Sequence, residues 1–159
     1  MKGRVDAAER GGAWPIDFQE VLMIGIVIVT HSKLGDALIE AAEFITGSEL
    51  SAVSSVSINL NVNAEKLRDK IATEIKSVNR DRGVIILTDM FGGTPSNLSY
   101  SFLEEGEVEV ISGVNLPILI KALSLQKSDD LAKSAKTLET YGKRSISLAS
   151  GILKGDKRG

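Results

Sequence analysis

The chain holds one histidine, His31, and no cysteine, so few of its side chains can attack an electrophile. Without thiols there are no disulfides, thiolate nucleophiles, iron–sulfur clusters or Cys-based zinc sites, and one imidazole cannot build a multi-histidine zinc site. Imidazole chemistry therefore falls to His31 alone, which stands just after an apolar run, Ile24–Val29. Asp89 follows a second such run, Val84–Leu87, and the turn Gly92-Gly93-Thr94-Pro95 comes next. A carboxylate bonded to one imidazole nitrogen fixes the tautomer and leaves the other nitrogen as a nucleophile or base. A glycine pair lets backbone N–H groups turn toward an anion, and a threonine hydroxyl with the start of a helix adds further donors. Nucleophilic imidazole, orienting carboxylate and anion cradle together point to phosphoryl transfer through a phosphohistidine.

The elements that must bring these residues together alternate along the chain. Ile24–Val29 reads as a strand covered on both faces. Leu34, Leu38, Ala41 and Ile45 recur at helical spacing, with Gly47 placed to end the helix. A second strand falls within Ala52–Leu60, and Asn63 caps a helix carrying Leu67, Ile71, Ile75 and Val78. Val84–Leu87 is a third strand, and Thr94-Pro95 predicts a third helix capped by Thr94. Val108–Ile111 is a fourth strand and Asn115–Leu125 a fourth helix. Asp129–Leu153 is mostly helical, with Gly142 or the alternating Ser145–Leu148 available as a break or a short strand. Alternating strands and helices with short loops predict an α/β, doubly wound, mostly parallel sheet with helices on both faces. Ligands bind such sheets beyond the carboxyl ends of the strands, where the strand order reverses. With order 2-1-3-4, His31 and Asp89 would face each other there.

The 159 residues suit one domain, and 43% hydrophobic with 25% charged residues is ordinary globular composition. A formal charge of −2 lacks the basic footprint of a nucleic-acid binder. Val21–Val29 is too short to span a bilayer, and no apolar region precedes a cleavage site in the first residues. Residues 1–22 are expected to be an N-terminal extension, residues 23–154 the domain, and residues 155–159 a tail. The glycine fingerprints of dinucleotide and P-loop sites are absent.

Three segments, GIVIVTHSKLGDAL (25–38), ILTDMFGGTPSN (86–97) and VISGVNLPIL (110–119), resemble the enzyme IIA domain of the mannose family of the bacterial phosphotransferase system. They keep that family's order and spacing, and the resemblance covers about Met23 to Gln126. It implies a sheet of order 2-1-3-4 with a further antiparallel strand at its edge, and a homodimer in which C-terminal segments cross over. It implies that His31 accepts phosphate from the carrier HPr and passes it to an enzyme IIB domain, with Asp89 holding the imidazole. Gly92, Gly93 and Thr94 then bind phosphate, and Met90 and Phe91 meet the partner protein. Members often carry serine at the position of Thr94, and both residues offer a hydroxyl. No metal, cofactor or nucleic acid is implied. The place implied is the cytoplasm, with the membrane reached only through transporter subunits. Mannose-transporting members often continue into a IIB domain, so this chain is expected to be a stand-alone IIA.

Two rival readings are a phosphocarrier serving dihydroxyacetone kinase, which also has a histidine after its first strand, and a non-enzymatic α/β module binding a small ligand. TDMFGGTPSN fits the sugar family better than the first. The second would not acquire acid-labile phosphate on His31.

Overall fold

Isoleucine and valine divide the first strand between two cores. In the computed structural model, which describes residues 21–59 and 61–153, β1 is Met23–His31. Ile24, Ile26 and Ile28 point into one apolar cluster, and Val27 and Val29 into the other. A strand buried on both faces needs helices on both, and the chain supplies them. The remaining strands are β2 (Val53–Ile58), β3 (Asp81–Thr88) and β4 (Val108–Ser112). They form one parallel sheet in the order β2-β1-β3-β4. Helices α1 (Leu34–Thr46), α4 (Leu116–Leu125) and α5 (Leu131–Arg144) cover the isoleucine face. On the valine face lie α2 (Ala64–Val78) and α3 (Thr94–Ser99), with a 3-10 turn at Tyr100–Phe102. A short α6, Ala149–Leu153, ends the described chain.

The fold class is the one the alternating elements predict, and the strand order is the one the family resemblance implies. Most of the expected N-terminal extension, all of the tail and Leu60 lie outside the described residues. Asn63 caps α2 as expected, its side chain accepting the N–H of Glu65. Gly47 ends α1 in the left-handed conformation.

Four details differ. In α1 the buried residues are Gly35 and Ala42, with Leu38 and Ile39 packed on the core, while Leu34 and Ile45 are exposed. The helix lies close on the sheet: a side chain at Gly35 would meet Ser55 Cβ at 3.1 Å. Small residues therefore take the centre of the contact and turn the stripe by one position. The cap of α3 is Gly93, with Thr94 already helical. Gly142 does not break α5 but lies buried within it. No fifth strand exists among the described residues: Ser145–Leu148 joins α5 to α6 without pairing to either edge strand, β2 or β4.

Candidate functional site

Neighbouring parallel strands leave a sheet at the same edge. Val29 of β1 pairs with Thr88 of β3, so the residues that follow each strand emerge together. His31 ends β1 and Asp89 follows β3, with His31 Nδ1 2.8 Å from Asp89 Oδ2. The same oxygen accepts the backbone N–H of His31 at 2.8 Å, and Asp89 Oδ1 accepts the backbone N–H of Met90 at 2.8 Å. Burial alone would raise the Asp89 pKa. The His31 backbone N–H, the His31 ring, the Met90 N–H and the charge of His31 outweigh it and hold the carboxyl below its usual value of 3.8. An ionised carboxylate only accepts hydrogen bonds, so Nδ1 carries the proton. In the neutral ring the lone pair is then left on Nε2. The His31 side chain is 39% exposed and that of Asp89 only 12%, so the imidazole is open to solvent and its partner sheltered.

Buried residues that sequence reasoning passed over hold this pair in place. Thr30 is fully buried, and its Oγ1 accepts the N–H of Gly35 at 2.8 Å, tying the end of β1 to the first turn of α1. Ser32, at a left-handed φ of 50°, donates its N–H to Ile58 O of β2. On the other side, Thr88 O accepts the N–H groups of Gly113 and Val114. Thr88 Oγ1 donates to Ser112 Oγ at 2.9 Å, and Ser112 Oγ meets the Tyr100 hydroxyl at 3.2 Å. Thr30 and Thr88 carry no sequence signal, because a β-branched residue at a strand end reads simply as strand.

The glycine turn follows directly. Gly92 has φ 77°, and Gly93 is extended at φ −78° and ψ 167°. Gly93 O accepts the Asn97 N–H and the Ser96 hydroxyl, which fastens the turn to α3. Among the described residues no acceptor is bonded to the N–H of Gly92 or Gly93. Met90 and Phe91 are 57% and 79% exposed, and the Phe91 ring stands 6.2 Å from that of Tyr100. The seven residues singled out by the sequence thus lie in one continuous patch at the carboxyl edge of β1 and β3. No cluster of three or more acidic or histidine side chains suited to a metal ion occurs among the described residues. The arrangement offers a nucleophilic nitrogen, a fixed counter-charge, unpaired backbone donors and an apolar rim.

Known proteins share this chain's pattern. Residues 25–139 match the family EIIA-man, the PTS (phosphotransferase) system fructose IIA component. The fructose-specific EIIA component of Bacillus subtilis (strain 168) is 31% identical over 132 residues, covering 82% of this chain and 90% of that protein. The mannose-specific EIIAB component of Escherichia coli (strain K12) is 33% identical over 109 residues, 68% of this chain, and the match spans 33% of that longer protein. The crystal structure of phosphotransferase system component EIIA from Streptococcus agalactiae superposes with a TM-score of 0.71 at 26% identity, covering 80% of this chain and 98% of that one.

Proposed function

We infer that this chain, which belongs to the EIIA-man family of sugar phosphotransferase-system IIA components, carries a phosphoryl group on His31 Nε2. The observation that carries this reading is the His31–Asp89 pair, which leaves Nε2 as the nitrogen with a lone pair at an open strand end. The donor is phospho-HPr and the acceptor an enzyme IIB domain. The Nε2 lone pair forms the new N–P bond while the N–P bond of the donor phosphohistidine breaks, its electron pair returning to the donor ring. His31 keeps its proton on Nδ1 throughout. The phosphorylated ring is therefore cationic, and the Asp89 carboxylate faces that charge at Nδ1. Transfer to the IIB domain reverses these steps.

Gly92, Gly93 and Thr94 receive the phosphoryl oxygens. With six residues α3 is too short for much dipole, so the backbone N–H groups and the Thr94 hydroxyl carry the contact. Moderate binding suits a carrier, since a phosphoryl group held too tightly would not move on. Met90 and Phe91 form the apolar rim on which the partner docks. The chain works as a homodimer in the cytoplasm, and it meets the membrane only through transporter subunits. No helix among the described residues is long and apolar enough to cross a bilayer.

Incubation with phosphoenolpyruvate, enzyme I and HPr should add one phosphate per chain, labile to acid and stable to base. His31→Ala should abolish it. Labelling that persists in that variant would remove the assignment.

A further inference from the structure

We propose that Gly93 is a positioning residue for the His31 imidazole, its absent side chain leaving the space in which the ring and the group on Nε2 are held. The two glycines of the turn are glycine for different reasons. Gly92 has φ 77°, a conformation other residues rarely adopt, and a side chain there would meet nothing within 4 Å. Gly93 has φ −78° and ψ 167°, extended backbone open to any residue, so its conformation does not call for glycine. A Cβ at Gly93 would instead stand 3.0 Å from His31 Cε1, 3.2 Å from Met90 Cγ and 3.6 Å from Pro95 Cδ. Carbon atoms pack best at about 3.5–4.0 Å, so something must yield.

Met90 yields easily, being exposed and flexible. The imidazole does not. Its Nδ1 and its own main-chain N–H are both tied to Asp89 Oδ2 at 2.8 Å. Cε1 lies between the two ring nitrogens, so pressure on it tilts the ring about the Asp89 bond and swings Nε2. Asp89 at Nδ1 and the bare Cα of Gly93 beside Cε1 together fix the ring plane. In-line transfer depends on that plane, because small misplacements of reacting atoms cost large factors in rate.

The kinetic part of this inference rests on His31 being the phosphoryl carrier, and the positional part does not. In the native protein, NMR should show a cross-relaxation peak between His31 Hε1 and the Gly93 Hα protons. Gly93→Ala should move the His31 Hε1 and Nδ1 resonances and slow transfer from phospho-HPr by about tenfold, while melting near the native temperature. Gly92→Ala should lower the melting temperature with the ring resonances in place. Native ring resonances and a native rate in Gly93→Ala would overturn the proposal, as would a missing native cross-peak, which decides the matter even if the variant fails to fold. A wild-type chain that takes no phosphate would sink the carrier reading alone, and the ring resonances would still judge Gly93.

Discussion

At the scale of the residue, the proposed chemistry turns on one bond between two groups 58 positions apart in sequence. Hydrogen bonds to charged groups contribute about 1.5–3 kcal/mol. On the proposed mechanism Asp89→Asn removes the charge that faces the phosphorylated ring, and it should slow transfer from phospho-HPr by roughly ten- to a hundredfold. Stopped-flow rates equal to wild type would separate Asp89 from the reaction. The lowered Asp89 pKa also fixes a direction in pH. The folded state holds the carboxylate ionised below the ordinary value of 3.8, so it binds fewer protons than the unfolded chain there. Its contribution to stability is complete above that value and fades as pH falls through the folded pKa. The part of the stability gap between wild type and Asp89→Asn that comes from this lowered pKa should therefore close on acidification through the folded pKa. Carboxyl carbon NMR should give Asp89 a midpoint below 3.8, and one at or above that value would contradict the hydrogen-bond account.

At the scale of the element, the turn between β3 and α3 decides what the histidine can meet. Thr94 sits in the first turn of α3, and its hydroxyl is the side-chain donor proposed for the phosphoryl group. Thr94→Val keeps the shape and removes the donor, and transfer should fall about tenfold, the scale of one hydrogen bond. Phe91→Asp places a charge on the apolar rim and should raise the apparent KM for phospho-HPr with the far-UV spectrum unchanged. An unaltered KM would place the docking surface elsewhere. The elements themselves were legible because apolar runs and helical spacings alternate cleanly, and the strand order then set His31 opposite Asp89. The inward face of α1 was not legible. Periodicity favours its large apolar residues, whereas close packing on Ser55 and Ile28 selects Gly35, and Ala42 is buried in place of Leu34 and Ile45. The bracing by Thr30, Thr88 and Ser112 was hidden for a related reason: buried hydroxyls in a strand look like strand residues until their partners from distant segments are known.

At the scale of the whole molecule, one edge of the sheet is unfinished. Among the described residues β4 ends the sheet with no strand beyond it, and Val110 and Ile111 are only partly buried there. A cleft of about 500 Å³ runs between this strand and α5, its lining shared by apolar Val110, Ile111, Ala132 and Ala135 and charged Glu109, Lys136, Glu139 and Lys143. Open edges of this kind are paired, covered or blunted in stable proteins. The segment Ser145–Leu148 offers a counterpart: it alternates polar and apolar residues, and its Ile146 and Leu148 are 81% and 76% exposed. Within one chain it reaches no edge, which is why the antiparallel strand expected from the family resemblance is missing. In a two-fold dimer the segment of each copy can lie along β4 of the other, and symmetry doubles every contact. Burying each such side chain contributes about 1.5–3 kcal/mol, so four of them give roughly 6–12 kcal/mol toward association, to which pairing along the edge of β4 would add. Light scattering of the native chain should give the mass of two copies. Ile146→Lys combined with Leu148→Lys should weaken association by on the order of a thousandfold or more and yield monomers at the same concentration. Those monomers should still take phosphate on His31, because every group of the His31–Asp89 pair and its turn comes from one chain. A native monomer, or a double variant that remains dimeric, would show that β4 and the C-terminal segment meet no second copy.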